Sequence, residues 1–387
     1  DTGEFGRAIE LVDAALAAQG DDDVHGRIER LFLRVQLTAD SLWAAGSRDL
    51  TEAETLLDGV ADPTFRARML SLLATLRLNL GLDSLSRARE AVDAGIAAGD
   101  REAEADARTT LGTAMAAAGE DAAGLDELRV ALTGLRRPRA RLRNLLNTSD
   151  VLHLTGRYQE AVDVALQGLA EAAEQGMERS FGTYLVGNAA ESMLATGEWP
   201  RAAELLAEAV TLDPPSSHRI HLDLLLAWLH LWRDEPETAD EVLAEHRGLI
   251  GSDEEHPAPQ YVSQLIRIAG EHAVLTGRPE DAWAGFEFFQ RHRHLHDPQR
   301  SWPLVSVAAA AATALGDQGR ADVVRATMDE LAPTAMTPTW RAVAEAELFD
   351  SREGWQRLLD LLREAPAPVH LGGYAALRLA EHLSRDG

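Results

Sequence analysis

The chain has 387 residues, more than the roughly 250–300 at which a single compact core stops growing, so one small globule is excluded. Apolar residues make up 45% of the chain and aromatic residues 5%, and most of the apolar residues are Ala and Leu, which favours helices over strands. The 63 acidic residues against 37 basic ones give a formal charge of −26, which repels nucleic-acid phosphates and anionic membrane surfaces.

Two residue types are absent from the sequence. All 37 basic residues are arginines, so the chain has no lysine for a Walker A loop, a Schiff base or proton transfer. Cysteine is also absent, which excludes disulfides and thiol chemistry and leads us to expect a cytoplasmic protein. The longest uncharged run, 301–316, contains Pro303 and is shorter than the roughly 20 residues of a membrane helix. We therefore expect no membrane segment.

A pattern of Gly, four residues and Ala recurs along the chain, each time followed by an apolar helical stripe. Clear copies begin at Gly3, Gly156, Gly197, Gly277 and Gly316, and weaker copies lie near 46–53, 81–88, 119–124 and 234–239. The small anchor residues that close these copies are Ala8, Ala53, Ala88, Gly124, Ala161, Ala202, Ala239, Ala282 and Ala321. Their mean spacing is about 39 residues, within the range of helical-repeat proteins.

A period of this length with two amphipathic helices per repeat is typical of an α-solenoid of tetratricopeptide-like repeats. The Gly ends the first helix with a positive φ, and the small anchor lets the second helix approach the first closely. We therefore predict an all-α right-handed superhelix over residues 1–387, a single continuous array of about nine to ten helix pairs. Ala161, Ala202, Ala282 and Ala321 are predicted to be buried between paired helices.

Both ends of the chain interrupt the period. The first residues form a turn at Gly3 on this interpretation, and 385–387 look like the next Gly turn without its helix. We therefore expect the chain to be an excerpt of a longer protein.

The C-terminal segments 340–347 and 373–383, with Trp355 between them, are the most specific part of the sequence. They resemble the C-terminal repeat region of the large ATP-binding LuxR-family transcriptional regulators of actinobacteria, which are similar in architecture to the activator of the maltose regulon. In that family an ATPase domain precedes the repeats and a helix-turn-helix follows them. The resemblance implies signal reception, relay and self-association for this chain, with ATP bound only in a missing N-terminal domain.

No residue here matches the family's ATP-binding or DNA-reading motifs, so we expect no cofactor and no nucleic-acid binding by this region alone. The sequence likewise contains no recognisable catalytic motif, and we expect no enzyme activity. The alternative function is a stand-alone tetratricopeptide-type adaptor that binds a peptide or protein partner in its concave groove.

The inner face of a solenoid is made by the first helices, predicted at 143–154, 181–194, 220–231, 261–275 and 305–315. A protein partner or small effector that bridges several of these helices would change their curvature. The polar residues predicted to face it are Asn144, Asn147, Tyr184, Asn188, Glu191, His221, Gln264 and Arg267. The alternative is a solvated groove, with regulation acting through the missing ends.

Three other groups of residues admit two interpretations. His292 and His296 have the spacing of a helical metal site, with Glu287 and Asp297 nearby, but a solvent-facing helix end is favoured. The basic segment 136–143 is assigned to pairing with acidic residues of the preceding repeat rather than to phosphate binding. The aromatic residues Trp228, Trp232, Trp283, Phe286 and Phe289 are assigned to the core rather than to a pocket, and Phe288 to a partner or solvent.

Overall fold

The computed structural model describes residues 2–18, 23–38, 43–250, 259–292 and 298–385, and every regular element within these ranges is helical. The helices are α1 (Thr2–Ala17), α2 (Val24–Thr38), α3 (Trp43–Asp58), α4 (Pro63–Asn79), α5 (Leu85–Ala98), α6 (Arg101–Ala117), α7 (Asp121–Gly134), α8 (Pro138–Leu154), α9 (Tyr158–Glu174), α10 (Thr183–Thr196), α11 (Trp199–Thr211), α12 (Ser216–Trp232), α13 (Pro236–His246), α14 (Pro259–Leu275), α15 (Pro279–His292), α16 (Pro298–Ala314), α17 (Gln318–Glu330), α18 (Thr337–Phe349), α19 (Arg352–Leu362) and α20 (Val369–Arg385). The predicted all-α class is confirmed.

Side chains that cap the helices explain several of their first residues. Asp62 accepts hydrogen bonds from two backbone N–H groups at the start of α4, and Asp100 and Asp317 cap α6 and α17 in the same way. Ser351 caps α19 through its hydroxyl group. Each cap satisfies a backbone N–H group that has no partner within its own helix, so the local sequence determines where the helix begins.

Left-handed residues end the first helices, as the Gly pattern predicts. Gly156, Gly197, Gly277 and Gly316 have φ values of 78°, 91°, 74° and 63°. Asp234 occupies the same position in a weaker copy, with φ of 63°. Asp tolerates this backbone region better than most residues do, so the turn survives the loss of its Gly.

Helices α2 to α19 form nine consecutive pairs within the described residues, and each anchor residue lies in a second helix or in α1. The four alanines predicted to be buried, Ala161, Ala202, Ala282 and Ala321, have exposed fractions of 8% or less. The prediction about these alanines is confirmed.

The N-terminal copy of the pattern differs from the prediction. Helix α1 begins at Thr2, so Gly3 lies within a helix and not in a turn. Gly46 similarly lies inside α3. A Gly inside a helix costs only about 1 kcal/mol, which the other residues of an amphipathic helix offset. The turn predicted at Gly387 lies outside the described residues.

The uncharged run 301–316 forms most of α16. Trp302 and Val305 of this helix are fully buried, and Pro303 lies in its first turns. No helix in the described ranges is both long enough and apolar enough to cross a membrane.

The chain separates into two compact units. The first contains Asp1–Thr148 and the short segment Pro215–Ser217, and the second contains Ser149–Pro214, His218–Gly251 and Pro259–Gly387. Each unit has its own apolar core: Phe32 and Leu73 are fully buried in the first, and Trp302 and Trp355 in the second. The single continuous array stays a prediction.

Two glycines make a very close helix contact in the first unit. A Cβ atom on Gly112 of α6 would lie 2.5 Å from the carbonyl oxygen of Gly124 in α7, and a Cβ atom on Gly124 would lie 2.5 Å from the carbonyl oxygen of Gly112. Gly124 is the anchor of its repeat, so a residue without any side chain serves here where other repeats have Ala. The two backbones touch at this point.

We expect Gly112→Ala to lower the free energy of unfolding by about 1–3 kcal/mol, because the new methyl group forces α6 and α7 apart. Gly6→Ala is the matched control, since nothing lies within 4 Å of the added Cβ atom on α1. The control is expected to be neutral or more stable by about 0.5–1 kcal/mol, the usual gain from replacing Gly in a helix. Urea denaturation followed by circular dichroism measures both, and equal effects of the two substitutions would refute the close-contact explanation.

Candidate functional site

The second unit contains a partly open cavity of about 110 Å³, which we name the polar cavity. The first helices of the repeats, α8, α10, α12, α14, α16, α18 and α20, all contribute residues to its wall. Its charged and imidazole side chains are Asp150, Glu191, Arg267, Arg300, His153, His221 and His370. Its aromatic rings are Tyr158, Tyr184, Trp228, Tyr261 and Trp340. A cavity with this lining suits a ligand that is itself polar or charged.

Contacts between residues distant in the sequence close the wall. Arg300 of α16 donates to both carboxylate oxygens of Asp150 in α8, at 2.7 and 3.0 Å. The ring of His370 in α20 lies against that of Trp228 in α12, with the ring centres 4.8 Å apart. Each contact joins two helices that are four repeats apart in the chain.

Six of the eight residues predicted to face the groove line the polar cavity. They are Tyr184, Asn188, Glu191, His221, Gln264 and Arg267. Their contact with an effector stays a prediction, but the structure brings them together around one space.

Asn144 and Asn147 belong to the first unit and do not line the cavity. Asn144 is only 1% exposed and donates to the hydroxyl of Thr109 and the carbonyl of Leu128, so it lies between helices and not on a groove surface. Asn147 donates to the hydroxyl of Thr113. Helical phase turns both amides towards α6 and α7 rather than towards open space.

The carboxylate of Glu191 lies at the wall shared by α10, α12 and α14. It accepts one hydrogen bond, from the amide of Gln264 at 3.3 Å. The Nε2 atoms of His153 and His221 each lie 3.8 Å from a carboxylate oxygen, which is longer than a hydrogen bond. Burial by itself would raise the pKa of Glu191, but the two imidazoles and Arg267 hold this pKa below its usual range. The carboxylate is therefore charged at neutral pH.

Arg267 is held by α12 and by its own helix. Its guanidinium donates to Glu271 at 3.2 Å and stacks over the ring of Trp228, 5.2 Å from the ring centre. The indole N–H groups of Trp228 and Trp232 donate to the other oxygen of Glu271, at 2.8 and 3.3 Å. Trp228, one of the tryptophans assigned to the core, thus also lines the polar cavity, and the position of Arg267 is fixed from two sides.

Two histidines of the cavity have pKa values below the usual range. Burial lowers the pKa of His153, although the negative charges of Glu191 and Asp150 act to raise it. The Nδ1 atom of His153 hydrogen-bonds with the hydroxyl of Ser192 at 2.9 Å. Burial, assisted by Arg267, lowers the pKa of His370 to about 3. Among the described residues, no hydrogen-bond partner reaches the buried Nδ1 atom of His370.

A second buried carboxylate lies near the cavity but does not line it. Glu347 of α18 accepts a hydrogen bond from the hydroxyl of Tyr374 at 2.7 Å, and its side chain is almost fully buried. Burial raises the pKa of Glu347 to about 7, and the charge of Asp350 adds to this rise. The hydrogen bond from Tyr374 and the charge of Arg378 act to lower the pKa. This carboxylate therefore changes its charge near neutral pH.

The basic segment 136–143 pairs with acidic residues of the preceding repeat, as expected. Arg137 lies 3.2 Å from Glu102, and Arg143 lies 2.7 Å from Asp106. The backbone N–H of Arg136 also donates to Glu102. The segment is accounted for by these pairs.

The structure corrects the assignment of Phe288. This side chain is 2% exposed, together with Trp283, Phe286 and Phe289 in the apolar core of the second unit. The reason is that the apolar core contacts more of the circumference of α15 than the single helical stripe of apolar residues predicts, so Phe288 is also buried. His292 hydrogen-bonds to the carbonyl of Phe288 at 3.0 Å, and its proposed metal partners His296 and Asp297 lie outside the described residues.

One cluster with possible metal ligands occurs among the described residues, at Asp223, Glu245 and His246. Asp223 is already bound by Arg219 at 2.7 and 2.9 Å and by His246 at 3.1 Å. The guanidinium occupies the place that a cation would take, so this cluster is an ion-pair network.

Sequence reasoning missed Asp150, His153, Arg300, Trp340 and His370. Asp150 and His153 lie within the predicted first helix 143–154, and the spacing from Asn147 to Asp150 was a signal that could have found them. Arg300, Trp340 and His370 come from other repeats, and no local sequence pattern predicts how these repeats are arranged around the cavity.

No protein-family model matches this chain, and no curated protein does so either. Among solved structures, a Rap protein complexed with competence and sporulation factor matches with a TM-score of 0.55 and 13% sequence identity. The match covers 95% of this chain and 99% of that chain. The likeness is one of fold, and it agrees with the predicted tetratricopeptide-like helical repeat.

We expect Glu347→Gln to flatten the pH dependence of stability. The folded state holds the proton of Glu347 up to about pH 7 and the unfolded state only to about 4.5, so stability falls as the pH rises between these values. Above about pH 7 the charged, buried carboxylate costs about 3 kcal/mol. Gln keeps an acceptor for Tyr374 without the charge. In urea denaturation from about pH 5 to 8, the free energy of unfolding of the variant should rise relative to that of the wild type as the pH rises. If the two free energies change with pH in parallel, the explanation is wrong.

Proposed function

We propose that this chain is a regulatory helical-repeat module that receives an effector or a segment of a partner in the polar cavity. The observation that carries the proposal is the convergence of six predicted inner-face residues, from α10, α12 and α14, on one polar cavity. A concave space lined by charged and hydrogen-bonding side chains suits a ligand that is itself polar.

The likeness to the Rap structure supports this proposal. That structure is a complex with competence and sporulation factor, so a fold of this type can hold a regulatory factor. We propose that this chain, likewise, acts by binding and carries no catalytic residues or cofactor of its own.

The polar cavity is suited to relay a signal because each of its walls belongs to a different repeat. In helical-repeat proteins each repeat contacts its neighbours, so a ligand that bridges several repeats changes their relative packing. Tyr158 and Trp340 line the cavity and also belong to the apolar core of the second unit. A ligand that moves either ring therefore acts on the core directly.

The finer form of the proposal is that the chain is the sensor and scaffold region of an ATP-dependent LuxR-type transcriptional regulator. The C-terminal segments 340–347 and 373–383 support it through their resemblance to that family. The alternative is a stand-alone adaptor for a peptide or protein partner. The full reading frame discriminates between them: a Walker A loop upstream and a helix-turn-helix downstream favour the regulator, and their absence favours the adaptor.

The isolated chain is expected neither to hydrolyse ATP nor to bind duplex DNA at physiological salt. It has no lysine to contact phosphates in a Walker A loop, and its charge of −26 opposes the DNA backbone. A phosphate-release assay and a mobility-shift assay measure the two activities. Tight DNA binding by the purified chain would overturn the assignment.

The low-molecular-mass fraction of an extract from the source cells is expected to raise the melting temperature of the wild-type chain by at least about 2 °C. The double variant Asn188→Ala, Gln264→Ala should lose this shift, because both residues line the polar cavity. Asn147→Ala is the control, since Asn147 was also predicted to face the groove but lies in the first unit.

Differential scanning fluorimetry measures all three proteins. Loss of the shift in the control alone would place the binding surface in the first unit and contradict the proposal. An equal shift in all three proteins would mean that neither set of residues binds the effector.

A further inference from the structure

Glu191 carries the unbalanced charge of the polar cavity. The two guanidinium groups that line the cavity already have carboxylate partners: Arg300 binds Asp150, and Arg267 binds Glu271. Among the described residues no guanidinium lies within ion-pair distance of Glu191, and its single hydrogen bond comes from the neutral amide of Gln264. A carboxylate can accept about four hydrogen bonds, so most of its acceptor capacity is open.

The imidazoles beside Glu191 do not bind its carboxylate directly. Burial lowers the pKa of His153, although the negative charges of Glu191 and Asp150 act to raise it. The Nε2 atoms of His153 and His221 stop 3.8 Å from the carboxylate, beyond hydrogen-bond reach. The space between these groups is therefore bordered by a charged acceptor that the protein leaves incompletely bound.

Aromatic rings surround the same place. The rings of Tyr184 and Tyr261 pack beside the imidazole of His221, with centres 5.8 and 6.1 Å away. The ring of Tyr158 lies 5.2 Å from that of His153 on the other side. The faces of aromatic rings attract cations, and the attraction grows when the cation is removed from water.

Gly187 shows that the position of His221 is built into the helix. A Cβ atom on this residue of α10 would lie 2.7 Å from the Nδ1 atom of His221, so only Gly lets the ring pack against the helix here. The contact holds Nε2 on the side of Glu191. His370 adds an independent sign of a ligand: it lines the cavity, is 6% exposed, and its buried Nδ1 atom has no partner among the described residues.

We propose that the polar cavity binds its ligand through a primary ammonium group, which donates its N–H groups to the carboxylate of Glu191 and lies among the rings of Tyr158, Tyr184 and Tyr261. The cavity volume of about 110 Å³ is enough for a group of this size. The inference rests on the proposed function and adds the chemical class of the ligand. The ammonium group belongs either to a small amine or to the amino terminus of a peptide.

The first experiment uses the unaltered chain at neutral pH and four probes of matched size: butylammonium, butanol, butyrate and tetramethylammonium. Saturation-transfer NMR and calorimetry measure binding. Butylammonium is expected to bind at least about tenfold more tightly than butanol and butyrate, because only it offers a charged donor to Glu191. Tetramethylammonium has the charge without N–H groups and is expected to bind more weakly than butylammonium. Preference for butyrate or butanol, or no binding of butylammonium, overturns the proposal.

The second experiment compares Glu191→Gln with the matched control Glu160→Gln, whose carboxylate pairs with Arg157 at the surface of α9. Glu191→Gln is expected to weaken butylammonium binding at least about tenfold, because the charged acceptor of the cavity is removed. A merely structural Glu191 would give a lower melting temperature with no loss of preference for amines. Wild-type affinity in Glu191→Gln refutes the proposal.

Two peptides identify the source of the ammonium group: trialanine amide with a free amino terminus, and its N-acetylated form. Tighter binding of the free peptide than of butylammonium, lost on acetylation, supports a peptide terminus, and tighter binding of butylammonium supports a small amine. Loss of the ammonium preference together with an intact extract-induced shift would refute this inference and leave the proposed function standing. Loss of both would refute both.

Discussion

Close packing of two helices at a small residue is the contact on which the rest of this structure depends. Ala161 and Ala202 are fully buried at this position, and Gly124 allows backbone contact with Gly112 in α6. Because paired helices meet there, each second helix covers one face of its partner first helix. The opposite faces of the first helices then lie next to one another, and this brings their polar residues together.

In the second unit these faces border the polar cavity, and several charged groups in or beside its wall are paired. Asp150 pairs with Arg300, and Glu271 binds Arg267 together with two indole N–H groups. Such pairing is what burial of charge requires, since an unpaired charge in a protein interior is strongly unfavourable. Glu191 has no guanidinium partner and accepts one hydrogen bond from the protein, and we propose that a ligand donates the others.

The same cavity is joined to the apolar core. Tyr158, Met336 and Trp340 line the cavity and also pack with Trp302 and Trp355 in the core of the second unit. Protein cores are closely packed, so they do not deform continuously when a bordering side chain moves. A ligand that moves one of these shared side chains would therefore also move the core, as the proposed relay of a signal requires.

Local signals in the sequence determined the helical class, the left-handed turns at Gly156 and Gly197, and the buried anchor alanines. They also placed Glu191 and Arg267 on first helices, because the residues that decide these features are neighbours in the chain. Tertiary structure alone decided that Asp150 meets Arg300, that His370 reaches Trp228, and that Asn144 is enclosed between helices. These contacts depend on the small rotation between successive helix pairs. The rotation accumulates over many repeats, and the sequence of a single repeat does not determine the sum.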